Sequence, residues 1–74
     1  MEEKEFLEKM TEIMDTEVEL SMDSVLKDIE EWDSLSYVAF LAFGATVAKE
    51  KIWPADVKAA KTLRDLYSLL MGDK

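Results

Sequence analysis

Hydrophobic residues recur with helical spacing in the first fourteen positions of the chain. They lie at i, i+1, i+4, i+7 and i+8, which is the spacing of one face of an amphipathic helix: Phe6, Leu7, Met10, Ile13 and Met14. Acidic residues at positions 2, 3 and 5 would complement the positive end of the helix dipole. The pattern predicts a first helix over residues 2–14.

The helical pattern is lost between residues 15 and 33, where turn-forming and cap-forming residues are frequent. Apolar residues still occur there at intervals, namely Val18, Leu20, Met22, Val25, Leu26 and Ile29. We expect these residues to anchor a long loop to the core, with one helical turn near residues 24–29.

A second helix is predicted over residues 34–51, which are apolar almost all round. Asp33 is a suitable N-cap, because its carboxylate can accept a hydrogen bond from the backbone N–H of Leu35 or Ser36. Trp32 and Tyr37 then occupy the two positions of a hydrophobic staple. Such a helix should be the most buried one, or it should present one face to a partner or ligand.

Gly44 lies inside this second helix, where glycine costs about 1 kcal/mol relative to alanine. We therefore expect another group to approach the backbone closely at this position. Several other residues nearby are small, including Ala42, Ala45 and Ala48. They could leave space for an acyl chain, although close packing is the usual state of a protein interior.

Two shorter helices are predicted in the last third of the chain. Pro54 suits the first turn of a helix over residues 54–60. Thr62 and Asp65 resemble a capping box before a final apolar stripe at Leu63, Leu66, Tyr67 and Leu70, and Gly72 lies where a C-terminal cap glycine is common. No alternating strand pattern occurs. We predict one all-α domain over residues 1–74, a bundle of three main helices and one short helix with a long loop after helix 1.

The charge of the chain is concentrated at one end. Residues 1–33 contain 13 acids and three lysines, a net charge of −10, while residues 34–74 contain six bases and four acids, a net charge of +2, which gives −8 in total. The acidic part would repel nucleic acid and anionic lipid and attract basic partners, although a solvated surface explains it equally well. No apolar run could span a bilayer, and the first five residues do not resemble a secretory signal. The expectation is a cytoplasmic monomer.

The composition excludes several kinds of chemistry. There is no cysteine and no histidine, so thiolate metal sites, disulfides and the commonest general base are absent. The acids from Asp15 resemble the start of a calcium loop, but Leu20 and Leu26 occupy the positions that require glycine and glutamate. Glycine-rich phosphate loops are also absent. The chain is not expected to be an enzyme by itself or to bind a metal.

Ser34 is the remaining candidate for chemistry. With Asp33 as the N-cap, Ser34 occupies the first position of helix 2, where backbone N–H groups are unsatisfied and the helix dipole favours an anion. A phosphodiester on the hydroxyl would suit this position. The alternative is an ordinary serine at a helix start, which geometry alone favours because serine is common there.

The order of these features resembles that of the acyl carrier protein family over essentially the whole chain. An acidic amphipathic helix and a long anchored loop precede Asp33-Ser34-Leu35, and a short helix and a final apolar helix follow. The resemblance implies that Ser34 carries a 4′-phosphopantetheine arm, attached from coenzyme A by a phosphopantetheinyl transferase. It also implies that Asp33 serves as helix cap and transferase contact, that Leu35 is an anchor, and that the arm's thiol supplies the reactive group. Ser36 is also near, but the motif selects Ser34.

Two departures from the family pattern affect the expected partners. Glu31 and Trp32 stand where relatives often have glycine, and residues 36–49 contain no acid although fatty-acid-synthesis members usually carry acids there. We expect Ala39, Ala42, Phe43 and Thr46 to be exposed. Tyr37, Ala39 and Phe43 could then form an apolar docking surface, with residues 28–33 providing the charge. Alternatively, these side chains pack inward.

The leading hypothesis is therefore a carrier that presents acyl groups to acyl-loading and acyl-transferring enzymes. The missing acids favour a specialised pathway, such as lipid modification or polyketide and other natural-product synthesis, over bulk fatty acid biosynthesis. One alternative is an aminoacyl or peptidyl carrier with the same arm. Another is an unmodified acidic helical adaptor that uses the first third of the chain and helix 2 as its binding surface.

Overall fold

Four α-helices and one 3₁₀ turn form the fold, in a computed structural model that describes residues 1–48 and 51–72. The elements are α1 (Glu3–Met14), the 3₁₀ turn (Leu26–Asp28), α2 (Ser34–Val47), α3 (Pro54–Ala59) and α4 (Leu63–Leu70). The predicted all-α bundle of three main helices and one short helix, with a long loop after the first, is confirmed. Of the helices described, none combines the length and the apolar character needed to cross a membrane.

The helices begin where local capping chemistry predicts. The Asp33 carboxylate accepts a hydrogen bond from the Ser36 backbone N–H at 3.0 Å. Thr62 Oγ1 accepts from the Asp65 N–H at 3.3 Å, and the Asp65 carboxylate accepts from the Thr62 N–H at 3.2 Å, which completes the predicted capping box. Pro54 occupies the first turn of α3. Each cap satisfies backbone groups that an isolated helix end would leave unpaired.

The capping box at α4 also affects an ionisation. The backbone N–H groups of Lys61 and Thr62 donate to the Asp65 carboxylate, at 2.9 and 3.2 Å, and these bonds lower the pKa of Asp65 below its ordinary value of 3.8.

At the other end of α4, Gly72 has a φ of 71°, the left-handed conformation expected of a C-terminal cap glycine.

One hydrophobic cluster joins all the elements. Its buried members are Phe6, Met10, Met14, Leu20, Met22, Leu26, Ile29, Phe40, Val57, Leu63, Leu66 and Leu70. Two edge-to-face aromatic pairs add to it: Phe6 with Tyr67 at 5.2 Å between ring centres, and Trp32 with Phe40 at 6.3 Å. The predicted stripes of α1 and α4 therefore face this core.

The long loop between α1 and α2 is attached to the core mostly as predicted. Leu20, Met22, Leu26 and Ile29 are buried. The prediction for Val18 is wrong, because its side chain is 54% exposed. Val18 follows Thr16, whose hydroxyl accepts a hydrogen bond from the Val18 N–H at 3.1 Å. This local turn fixes the backbone at Val18 while its side chain stays in solvent.

Backbone hydrogen bonds tie the same loop to the start of α4. The Leu26 N–H donates to the Lys61 carbonyl at 2.8 Å, and the Leu63 N–H donates to the Ser24 carbonyl at 3.2 Å. These bonds flank an isolated antiparallel bridge between Val25 and Thr62. The loop is thus hydrogen-bonded to a segment that is distant in the sequence. These bonds satisfy backbone groups of the loop and help to explain how so long a segment stays ordered.

Helix α2 ends earlier than predicted. It was expected to reach residue 51, but it ends at Val47, and Ala48 is extended with a ψ of 143°. The physical reason lies at Gly44, where an added Cβ would be 2.6 Å from Ile52 Cδ1. In a continuous helix Ile52 would lie about 12 Å further along the axis than Gly44. Contact between Ile52 and Gly44 therefore requires the chain to leave the helix between them. Residues 49 and 50 of the predicted helix lie outside the described residues.

Candidate functional site

A short hydrogen-bonded segment positions the start of α2. The Trp32 N–H donates to the Ile29 carbonyl at 3.0 Å, and the Asp33 N–H donates to the Glu31 carbonyl at 3.1 Å. The Ile29 side chain is buried, and the Trp32 ring packs against the buried Phe40 ring. Two apolar contacts and two backbone bonds therefore fix the residues that precede Ser34.

The two serines at this helix start have different environments. Ser34 is exposed at the first position of α2, and its hydroxyl has no hydrogen-bond partner within the described part of the chain. Ser36 is only 4% exposed, and its hydroxyl donates to the Glu31 carbonyl. An external enzyme could therefore reach the Ser34 oxygen, whereas the Ser36 oxygen is buried and already engaged.

Leu35, between the two serines, does not have the predicted role of an anchor. Its side chain is 81% exposed. The buried side of α2 is formed by Ser36, Phe40 and Gly44, and successive helical residues are about 100° apart, so Leu35 lies on the side of the helix away from the core. The side chain of Leu35 is instead available to a protein that approaches Ser34.

Ser34 lies at the edge of an open cleft of about 310 Å³ between the start of α2 and α3. We call this the Ser34 cleft. It is lined by Trp32, Asp33, Ser34, Tyr37, Val57 and Lys58. Four of these residues, Asp33, Ser34, Tyr37 and Lys58, carry polar or charged groups beside apolar surface, so the cleft could accept a ligand with both characters.

Tyr37 and Lys58 connect the two helices across this cleft. The Tyr37 hydroxyl donates to the Pro54 carbonyl at 3.4 Å. The Lys58 ammonium lies 5.8 Å from the centre of the Tyr37 ring, within the range of a cation–π contact. Tyr37 thus forms one wall of the cleft, with the positive charge of Lys58 beside it. Trp32 and Tyr37, the expected staple pair, both line this cleft.

The exposed face of α2 differs from the one predicted. Tyr37, Ala39 and Phe43 are half-buried, and the Lys9 ammonium lies 5.4 Å from the Phe43 ring centre, so Phe43 faces α1. Ala42 and Thr46 are exposed, as expected. The residues that form an exposed apolar row with helical spacing, which we call the α2 stripe, are Leu35, Val38, Ala42 and Ala45.

The wrong assignment has a clear cause. Helix α2 is apolar on every side, so its sequence contains no periodicity that indicates which side faces the core. The core side is defined by Ser36, Phe40 and Gly44, which are the buried residues of α2. Three of the fourteen residues of α2 are buried, against three of eight in α4, so the expectation that α2 is the most buried helix is wrong, and the expectation that its exposed face meets a partner or ligand stays a prediction.

Close packing occurs at Gly44. The hydrogen of this glycine faces Ile52 and Leu70, whose side-chain atoms lie 2.6 and 3.5 Å from the position a Cβ would occupy. Ala42 and Ala45, which were candidates for lining an acyl cavity, are exposed on the α2 stripe. Gly44 therefore allows close packing against Ile52 and Leu70, whereas Ala42 and Ala45 lie on the surface of α2.

The sequence interpretation missed Val57 and Lys58 as neighbours of Ser34. They are more than twenty positions away, and nothing local marks a lysine of α3 as part of a site on α2. The available signal was the tendency of successive short helices to pack side by side.

Within residues 1–48 and 51–72, no group of three or more metal-binding side chains is arranged to hold an ion. The Ser34 residue is exposed, and the adjacent cleft has both a lysine and apolar walls. No protein-family model, no curated protein and no solved structure matches this chain.

Proposed function

We propose that this chain is a carrier protein of the acyl carrier type, with a 4′-phosphopantetheine arm attached to Ser34. The observation that carries the proposal is the exposure of the Ser34 hydroxyl between a capping aspartate and an exposed leucine, next to a serine that is buried and hydrogen-bonded. The Asp33-Ser34-Leu35 resemblance and the order of the helices support the same conclusion.

Attachment requires little from the chain itself. Ser34 Oγ would form a bond to the phosphorus next to the pantetheine of coenzyme A, and the pyrophosphate bond to the nucleotide would break. The nucleotide leaves with the bonding electrons, and the serine proton passes to a base of the transferase. This division of labour suits a protein that has no histidine. The thiol at the end of the arm would then hold acyl groups as thioesters for partner enzymes.

The α2 stripe is the surface we assign to those partners. It begins at Leu35, directly beside Ser34, and the side chain of Val38, about one turn further along the helix, is 60% exposed. Exposed apolar rows of this kind often mark protein contacts. Acidic residues just before the stripe, from Asp28 to Asp33, would add attraction to a basic rim. Because the stripe itself has no acid, we propose dedicated partners in lipid or specialised-metabolite synthesis.

The test is intact mass after incubation with coenzyme A, magnesium and a transferase of broad specificity. The proposal predicts addition of one phosphopantetheinyl unit to the wild-type chain and none to Ser34→Ala. If several transferases leave the mass of the folded wild-type protein unchanged, the proposal is wrong.

The exposed apolar row also favours one second candidate, an unmodified adaptor that binds another protein through the α2 stripe. The two candidates differ in the role of Ser34. An adaptor would bind its partner equally well as the wild-type chain and as Ser34→Ala, and would gain no mass with coenzyme A. The kind of cargo, whether acyl, aminoacyl or peptidyl, would be identified by the mass of the protein purified from its native source.

A further inference from the structure

The Ser34 cleft is built from two helices, and its features suit one particular occupant. Resting on the proposed function, we infer that the cleft holds the phosphopantetheine arm against the protein. Lys58 pairs with the phosphodiester, and Tyr37 and Val57 contact the apolar part of the arm. The arm would then have a docked position on α3 as well as its covalent attachment on α2.

Charge supports this assignment of Lys58. A phosphodiester on Ser34 would add a negative charge next to Asp33, in a chain whose first 33 residues already have a net charge of −10. Lys58 is the basic residue of the cleft lining. The ion pairs present among the described residues involve Lys9 and Arg64 rather than Lys58. Its ammonium group lies beside the Tyr37 ring and forms no ion pair within residues 1–48 and 51–72, so it is available to a phosphate.

The shape of the cleft supports the assignment of the apolar contacts. Val57 is buried with 1% exposure and forms the floor, while Trp32 and Tyr37 are half-buried walls. Packing of Tyr37 against the core, with a long hydrogen bond of 3.4 Å to the Pro54 carbonyl, forms this wall without a ligand. A preformed wall reduces the ordering cost of docking. The volume of about 310 Å³ suits part of an extended arm rather than a large ligand.

The docking must be weak, and its weakness agrees with the task of a carrier. Both Lys58 and Ser34 are exposed, and water and salt screen ion pairs between exposed groups. An exposed pair of this kind shifts the ratio of docked to free arm by about twofold to fivefold. An arm held this loosely can leave the cleft when a partner enzyme binds its thiol.

The experiment compares backbone amide NMR spectra of the chain with and without the arm, after mass spectrometry has shown that loading is complete. It uses the wild type, Lys58→Gln, Lys58→Arg and the control Lys27→Gln. Lys27 is an exposed lysine that lines a different cleft, with Val25 and Thr62. In the wild type, attachment is expected to shift the amide signals of residues 57 and 58 as well as those near Ser34. These α3 shifts should diminish in added salt.

The variants separate the outcomes. The α3 shifts should become about twofold to fivefold smaller in Lys58→Gln and should be kept in both Lys58→Arg and Lys27→Gln. Shifts confined to residues 33–36 in the wild type, or α3 shifts of equal size in Lys58→Gln, would overturn the docking inference while leaving the proposed attachment intact. Absence of any added mass would remove the proposed function, and the docking inference with it.

Discussion

Ser34 and Ser36 lie two positions apart in the first turn of α2, and their hydroxyl groups point to opposite environments. The Ser34 hydroxyl is in solvent, whereas the Ser36 hydroxyl donates to the Glu31 carbonyl from a nearly buried position. The same helix start therefore contains one serine with a structural role and one serine without any. This difference gives a matched pair of substitutions.

Ser36→Ala should lower the free energy of unfolding by about 1 kcal/mol, because it removes one of the two hydrogen bonds that the Glu31 carbonyl accepts in a partly buried site. For a domain of this size that loss corresponds to a fall of about 4–8 °C in melting temperature. Ser34→Ala should change stability by less than about 0.5 kcal/mol, since the side chain is exposed. Urea denaturation of the two variants measures both values. Equal stabilities would show that the Ser36 hydrogen bond is not significant.

Gly44 and Ile52 are expected to be energetically coupled. Alanine at position 44 gains about 1 kcal/mol of helix propensity, but its Cβ would lie 2.6 Å from Ile52 Cδ1. Ile52→Val removes that methyl group, and the next atoms at 3.5 Å and beyond are at ordinary contact distance. Gly44→Ala should therefore be stabilising by about 1 kcal/mol in the Ile52→Val background and less favourable in the wild type.

A double-mutant cycle by chemical denaturation measures this coupling. If Gly44→Ala has the same effect in both backgrounds, within about 0.3 kcal/mol, then Ile52 does not occupy the space beside Gly44, and the explanation for the early end of α2 is wrong.

The capping box at α4 predicts a dependence of stability on pH. The pKa of Asp65 is lowered in the folded chain by the backbone N–H groups of Lys61 and Thr62. The carboxylate therefore contributes its full stabilisation above the ordinary value of 3.8, and this contribution is lost as the pH falls through the lower folded pKa. Asp65→Asn should show a smaller loss of stability between about pH 5 and about pH 2 than the wild type does.

The control for this prediction is Asp28→Asn, which removes an exposed carboxylate from the 3₁₀ turn. It should retain the acid-dependent loss seen in the wild type. Melting curves across the pH series measure all three proteins, and identical profiles for Asp65→Asn and the wild type would contradict the assigned role of Asp65.

The α2 stripe predicts that partner recognition depends on Val38. Val38→Ser and Val18→Ser remove the same side chain from positions of similar exposure, 60% and 54%. Neither should alter stability by more than about 0.5 kcal/mol. Val38→Ser should lower kcat/KM for loading by a transferase roughly threefold to tenfold, since burial of a valine on binding contributes about 1 kcal/mol or more. Equal loading rates for the two variants would exclude the stripe from the transferase contact.

The parts of this fold that follow from local chemistry are the parts the sequence predicts. Asp33, Pro54 and Thr62 start helices through bonds and dihedral constraints within a few residues, so the starts of α2, α3 and α4 were located correctly. The end of α2 at Val47 was not, because it depends on the return of Ile52 to Gly44.

In the candidate site, too, the features set by local chemistry were predicted and those set by long-range packing were not. Its hydroxyl was predicted, because the cap at Asp33 fixes the position of Ser34 within one turn. The inward orientation of Tyr37 and Phe43 was one of two alternatives, and the sequence could not decide between them because an all-apolar helix has no marked face. The Ser34 cleft could not be predicted either, since Lys58 reaches it through the packing of α3 against the start of α2. Long-range packing determines what the sequence pattern leaves open.

The most direct test of the carrier assignment is to locate the added mass by fragmenting peptides of the loaded protein. The wild-type chain and Ser36→Ala should each carry one phosphopantetheinyl unit on Ser34, and Ser34→Ala should carry none. A unit found on Ser36, or a folded wild-type chain that several active transferases leave unmodified, would contradict the central claim that the exposed oxygen of Ser34 is the attachment point.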